Sequence, residues 1–257
     1  MHRDGFWVLM ALSLAALVAG CDSQEAVRIR LPVEAQGGGL APAVTNRGWR
    51  VSIHVCRLAL RDLQLTIHGE MHAGLLQRAA EQLLPRAHAH PGHHAGGEVT
   101  GELPGRFVAD FGRGGLLGTA TLLPGQYRGA NFTFRRADAQ DGLDATDPLL
   151  GHSAYLEGVA EREGVRLQLR AQIDLAEGAQ VVGVPFEAEI TASTTATLRL
   201  QALQHDPVGG QSLLDGLDLA AYDPDGDGRV EIAPGGEAHN VLRRRIRMHE
   251  FYHMQAR

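Results

Sequence analysis

The stretch Trp49-Arg50-Val51-Ser52-Ile53-His54-Val55-Cys56-Arg57-Leu58-Ala59-Leu60-Arg61-Asp62-Leu63-Gln64-Leu65-Thr66-Ile67 decides the fold class. Trp49, Val51, Ile53 and Val55 alternate with polar neighbours, which is the two-residue period of a strand with one buried face. Leu58 and Leu60, then Leu63, Leu65 and Ile67, carry the alternation onward with one or two breaks of phase. Further β-rich runs follow at 107–111, 116–122, 127–134, 155–160, 165–175, 184–190 and 196–203. Gly and Pro turns such as Leu123-Pro124-Gly125 and Glu163-Gly164 separate most of them. Many short strands at this spacing predict a mainly β protein, an antiparallel β-sandwich. Regular structure is expected to begin at Trp49.

The chain has 257 residues, 44% hydrophobic and 21% charged, which is enough apolar matter for a substantial core and excludes a disordered chain. A net charge of −6 excludes a basic nucleic-acid footprint, so no nucleic-acid partner is expected. All 24 basic residues are Arg, and there are 13 His. The His residues direct attention to metal chemistry.

Residues 1–20 read as a secretory signal. Arg3 supplies a positive start, an apolar run follows from Phe6 to Val18, and the segment ends in Val18-Ala19-Gly20-Cys21. That ending resembles the lipobox of bacterial lipoproteins. The resemblance implies cleavage after Gly20 and lipidation of the Cys21 thiol, with several acyl chains giving a stable anchor. The expected address is extracytoplasmic, lipid-anchored to a bacterial membrane, with the choice between inner and outer membrane left open. Residues 21–45, rich in Ala, Pro and Gly, are expected to form the anchor and a flexible tether, and residues 46–257 a single domain.

With Cys21 lipidated, Cys56 has no partner for an intrachain disulfide. A helical insertion is expected at 70–84, where Leu75, Leu76, Ala79, Ala80, Leu83 and Leu84 recur at helical spacing before Pro85. The insertion extends to about residue 97 through His88-Ala89-His90-Pro91-Gly92-His93-His94. His88, His90, His93 and His94 on such a loop suit copper or zinc, because imidazole is a borderline base. His54 and Cys56, two apart on a strand, are expected to share a face. With His68 and His72 they form a second candidate ligand set.

The segment 210–257 is expected to hold an Asp-rich loop and a last amphipathic helix from about Glu237. That helix would carry His249-Glu250-Phe251-Tyr252-His253, which spells H-E-x-x-H. On a helix, His249 and His253 would share a zinc ion and Glu250 would activate its water, the zincin peptidase arrangement. Only Met254, Gln255, Ala256 and Arg257 follow, so the third zincin ligand is missing and an enzyme is not the expected class. Asp223-Pro224-Asp225-Gly226-Asp227-Gly228-Arg229-Val230-Glu231 resembles the first nine positions of an EF-hand calcium loop, with Asp223, Asp225, Asp227, Arg229 and Glu231 at ligand positions. Pro234 stands where the twelfth-position Glu belongs. Asp138, Asp141, Asp144 and Asp147 have no fixed ligand spacing and read as a loop.

The run Leu123-Pro124-Gly125-Gln126-Tyr127-Arg128-Gly129-Ala130-Asn131-Phe132-Thr133-Phe134 is similar to an element of the MbnP-like proteins of bacterial copper-associated gene pairs. The strand at Trp49, Gly151-His152-Ser153 and the Asp-rich loop are compatible with that group, whereas the Cys-rich pattern of one of its branches is absent. The resemblance implies a periplasmic or membrane-attached β-rich protein linked to copper, and it transfers no ligand. The expected function is transition-metal binding, copper or zinc, for storage, delivery or sensing, with a metal-handling partner in the same compartment. The alternatives are a calcium-stabilised surface or adhesion module and, third, a zinc peptidase.

Overall fold

The computed structural model describes residues 27–67 and 98–257. The order is β1 (Ile29–Ala35), β2 (Leu40–Val44), β3 (Arg50–Thr66), β4 (Val99–Asp110), β5 (Gly115–Leu122), β6 (Gly125–Phe134), β7 (Ala154–Arg162), β8 (Val165–Ile173), β9 (Gln180–Ile190), β10 (Leu198–Ala202), β11 (Arg229–Ile232), α1 (Glu237–Arg245) and β12 (Tyr252–Ala256). The fold is mainly β and sandwich-like, and among the described residues the one α-helix lies near the C-terminus. The sheet is mixed: β1–β10, β8–β11 and β9–β12 run parallel and the other pairs antiparallel. None of the described helices is long and apolar enough to cross a membrane.

β3 organises the molecule. Its first half pairs with β7 on one side and β2 on the other; its second half pairs with β6 and β4. Through β4, β5, β1, β10, β12, β9 and β6 the hydrogen bonding returns to β3, so the strands close a ring. β7, β8 and β11 extend from the first half of β3 as a wing.

The phase breaks of β3 have visible causes. Val51 and Ile53 are buried, then Cys56, Leu58 and Leu60, then Leu63 and Leu65. The first change of parity falls at a register shift against β7 between Ile53 and Val55. The second falls at Asp62, whose φ of 54° lies in the left-handed region and whose Oδ1 accepts a hydrogen bond from the Gly105 N–H. Each bulge turns the strand by one residue, so three apolar sets face one core. Trp49 is fully buried; its Nε1 donates to Asp218, and the Arg162 guanidinium lies 4.3 Å from its ring centroid.

Two expectations are corrected. The tether does not reach residue 45, because β1 and β2 occupy 29–35 and 40–44, so regular structure is already present twenty residues before Trp49. Leu31, Val33 and Ala35 are buried between β5 and β10, so alternation holds despite the Ala, Pro and Gly content. The last helix ends at Arg245, short of the H-E-x-x-H segment. The helix expected at 70–84 lies outside the described residues. The chain leaves the sheet at Ile67 and returns at Glu98, and the Ile67 N–H donates to the Glu98 carbonyl, so that connection starts and finishes at one point.

The carboxylates read as a plain loop are structural. A small second core on the other face of β3 contains Ala59, Ala137, Leu149 and Tyr155. The 135–151 loop supplies its cover, and the acids fasten that loop. Arg135 makes two hydrogen bonds to Asp141 and others to the Leu60 and Phe107 carbonyls; Arg57 binds Asp147 at 2.9 Å. Burial works to raise the Asp141 pKa, but hydrogen bonds from Arg135, the Asp138 backbone and Arg106 hold it below the ordinary carboxylate value. The Arg135 and Asp141 side chains are only 6% and 3% exposed, so removing Arg135 leaves the Asp141 charge in the interior with only the more exposed Arg106 as its counter-charge. Arg135→Met is expected to lower stability by about 3–5 kcal/mol in equilibrium urea unfolding; a loss under about 1 kcal/mol, the scale of an exposed pair, contradicts the buried-pair account.

Candidate calcium loop and the fate of the histidines

The Asp-rich loop is built by the elements around it. A short 3-10 turn, Leu219–Tyr222, ends at Asp223, and β11 begins at Arg229 in parallel register with β8. The Gln168 N–H donates to the Gly228 carbonyl at 2.7 Å and fixes the loop's exit. Gly226 and Gly228 have φ of 69° and 81°, which Gly adopts without strain. Asp223 Oδ2 accepts from the Gly228 N–H, and Asp227 Oδ1 from the Arg229 N–H. These bonds fold the loop inward, and one carboxylate oxygen from each of Asp223, Asp225 and Asp227 comes within 4.8 Å of the others. Asp223 Oδ1 is shut off from solvent and accepts no hydrogen bond. Hard oxygens gathered in this way suit calcium or magnesium rather than copper.

The remaining two expected ligands do not join them. β11 is extended, so Glu231 projects on its exposed edge toward Arg170, 3.8 Å away. Arg229 lies 3.8 Å from Asp227 as a counter-charge. An EF-hand would continue into a helix here; a strand carries the ninth position away.

His54 and Cys56 are separated. The bulge that restores the core phase turns His54 outward to solvent and Cys56 into the core. Burial, with a smaller contribution from Asp110, pushes the Cys56 thiol far above its ordinary value, so it behaves as a small apolar side chain and not as a thiolate ligand. His68, His72, His88, His90, His93 and His94 lie outside the described residues, as does Cys21.

The H-E-x-x-H segment is not helical. His249–Phe251 is a 3-10 turn and Tyr252–Ala256 is β12, paired with β10. Tyr252 and Met254 are buried, the alternation of the strand, and Phe251 is buried in the turn before it, so the spacing serves packing. His249 and His253 therefore do not stand one helical turn apart. His249 Nδ1 is 3.8 Å from the Glu250 carboxylate, while Glu250 and His253 border a cleft of about 370 Å³ with Asp206. Among the described residues, only Asp223, Asp225 and Asp227 form a group of three ligand side chains.

A second arrangement escaped sequence reasoning. His239 on α1 is buried, and its Nε2 accepts the Asp174 N–H at 3.0 Å; the Asp174 carboxylate binds His152 Nδ1 at 2.7 Å and Arg136 at 3.5 Å. The signal was present: Ala238, His239, Leu242 and Ile246 fall on the apolar face of an amphipathic helix. Burial, and then Arg243, lower the His239 pKa against the pull of Asp174. Its Nε2 already faces a donor, so a proton there breaks the bond that holds α1 to the end of β8. No protein-family model matches the chain, and comparisons with curated proteins and with solved structures return no match.

The depressed His239 pKa has a definite sign. The unfolded chain takes up the proton more readily than the folded one, so stability falls as pH drops below about 6.5. His239→Gln keeps an acceptor without a titrating ring and is expected to flatten this part of the melting-temperature profile. An unchanged slope contradicts the role given to His239.

Proposed function

We propose that the protein is a lipid-anchored, extracytoplasmic β-domain stabilised by calcium in its Asp223–Gly228 loop, a surface module rather than an enzyme. The observation that carries this reading is the convergence of three carboxylates with one shielded, unpartnered Asp223 oxygen. Three like charges this close repel one another, and a divalent cation removes that cost and supplies the missing partner. Millimolar calcium outside the cell suits a site with few protein ligands, the remaining coordination being completed by water. The lipobox ending at Cys21 supports the same compartment.

Calcium added to chelator-treated protein is expected to raise its melting temperature, with a gain of about 2.7 kcal/mol at a hundredfold excess over Kd. Asp225→Asn, at an exposed position, is expected to abolish the gain and, by relieving the repulsion, to leave the calcium-free melting temperature unlowered or slightly raised. Equal melts with and without calcium overturn the reading.

Copper or zinc binding by His88, His90, His93 and His94 stands as a second reading. What supports it is the sequence alone, four imidazoles within seven residues of one connection. Deleting 86–95 is expected to remove copper or zinc uptake, measured on protein without an affinity tag. The double variant His249→Ala with His253→Ala is expected to retain it. Uptake that survives the deletion refutes the tract as the site.

A further inference from the structure

The cleft beside β12 is used by neither the calcium nor the copper reading. It lies where β9, β12 and β10 run side by side. Phe186, Met254 and Leu200 of these strands point into the core, while Pro185, His253 and Gln201 alternate outward and line the cleft. The hairpin after β10, closed by the His205–Ser212 bridge, forms one wall, and the turn before β12 brings in Glu250. The volume of about 370 Å³ is in the range of pockets that take small organic molecules. The strands set it apart from Ile67 and Glu98. Ile29 is opposite Leu122, Leu122 opposite Gly101 and Gly101 opposite Leu65, so β1 starts at the end of the ring where β3 finishes. β10 runs parallel to β1, away from that end, and the cleft lies where β10 finishes.

Its charges are unbalanced. Asp206 is only 7% exposed. Its Oδ1 accepts the Val208 N–H, its Oδ2 accepts no hydrogen bond from the described residues, and a Cβ at Gly209 would collide with that Oδ2. Asp141 and Asp215, also shielded, each lie beside an Arg. Among the described residues no Arg pairs with Asp206 or with Glu250, whose ionisable neighbour is His249 Nδ1 at 3.8 Å. A carboxylate withdrawn from water without a counter-charge is costly, and here it borders an opening through which a cation can reach it. Asp206, Glu250 and His253 do not gather their ligand atoms closely enough for one metal ion to take all three. Between the acids, Leu203, Pro207 and Val208 offer apolar surface. An organic cation satisfies both features at once, because its charge and its hydrocarbon are on one molecule.

We infer that this cleft binds an organic cation, an ammonium or guanidinium group on a short apolar stem. Asp206 and Glu250 hold the charge, His253 adds an acceptor nitrogen, and Leu203, Pro207 and Val208 pack against the stem. The chain contains no Lys, so an ammonium in the cleft belongs to another molecule. Such a group arrives on a free amine or on a basic side chain of a partner protein, and the chemistry of recognition is the same. The site is independent of the calcium loop and of the lipid on Cys21.

The experiment uses the full chain in a neutral maltoside detergent with calcium in excess, titrated with pentylamine and followed by amide proton–nitrogen NMR. Saturable shifts are expected at the amides of Val208, Glu250 and His253. Pentanol and pentanoate, which keep the stem and lose or reverse the charge, are expected to bind at least about tenfold more weakly. Glu250→Gln, at a partly exposed position, is expected to weaken pentylamine binding about tenfold. Asp206→Asn keeps the oxygen that accepts the Val208 N–H and is expected to weaken it at least as much. The peptide acetyl-Ala-Lys-Ala-amide separates the two sources: binding at the same amides assigns the cation to an exposed side chain of a partner, and pentylamine binding without peptide binding assigns it to a free amine. Pentanol binding as tightly as pentylamine reduces the cleft to an apolar groove and overturns the inference. Shifts confined to residues 223–228, or an affinity unchanged in both variants, also overturn it.

Discussion

The structure depends on one constraint: β3 must show a single apolar face to the core while it pairs with four different strands. Over 17 residues a strictly alternating strand cannot do this, because sheet twist carries its face away from the ring. The bulge at His54 and the left-handed Asp62 each shift the phase by one residue. Without them Cys56, Leu58 and Leu60 would point away from the core of Val51 and Ile53, at about 1.5–3 kcal/mol for each Leu exposed. Both irregularities use polar residues that tolerate the outward position. The same device gives β3 its second, smaller core at Ala59 and Tyr155, which the Arg135–Asp141 pair seals.

The mainly β, sandwich-like fold was legible because most of its strands keep the two-residue period. The early strands were not, because Pro32, Gly37-Gly38-Gly39 and Pro42 resemble a linker in composition. Their burial comes from β5, β10 and β3, which are remote in sequence. The parallel pairs were hidden for a related reason: a strand's period carries no direction, and direction depends on long-range connections. The ending of α1 was misplaced because Arg247, Met248 and His249 continue a helix-compatible composition. Met254 and Tyr252 instead pack as a strand.

The candidate sites divide along the same line. The convergence of Asp223, Asp225 and Asp227 was legible because it depends on local spacing and on Gly turns. His54 with Cys56 failed because a single bulge reverses a face, and H-E-x-x-H failed because its geometry requires a helix that tertiary packing replaces. His239 and Asp174 are 65 residues apart and meet only through the docking of α1 on β8. Local motifs survive folding when their function is local; ligand sets spanning elements depend on register.

A calcium-centred account also explains why the wing ends where it does. β11 is four residues long and would be a weak edge strand alone. A cation in the loop would tie its entrance at Asp223 to its exit at Asp227 and so hold β11 in register on β8. The most direct test is a calorimetric calcium titration of chelator-treated protein. The account predicts one calcium ion per chain, lost in Asp223→Asn, with an unchanged circular-dichroism spectrum. No binding heat at millimolar calcium, or full binding by the Asp223→Asn variant, would contradict it.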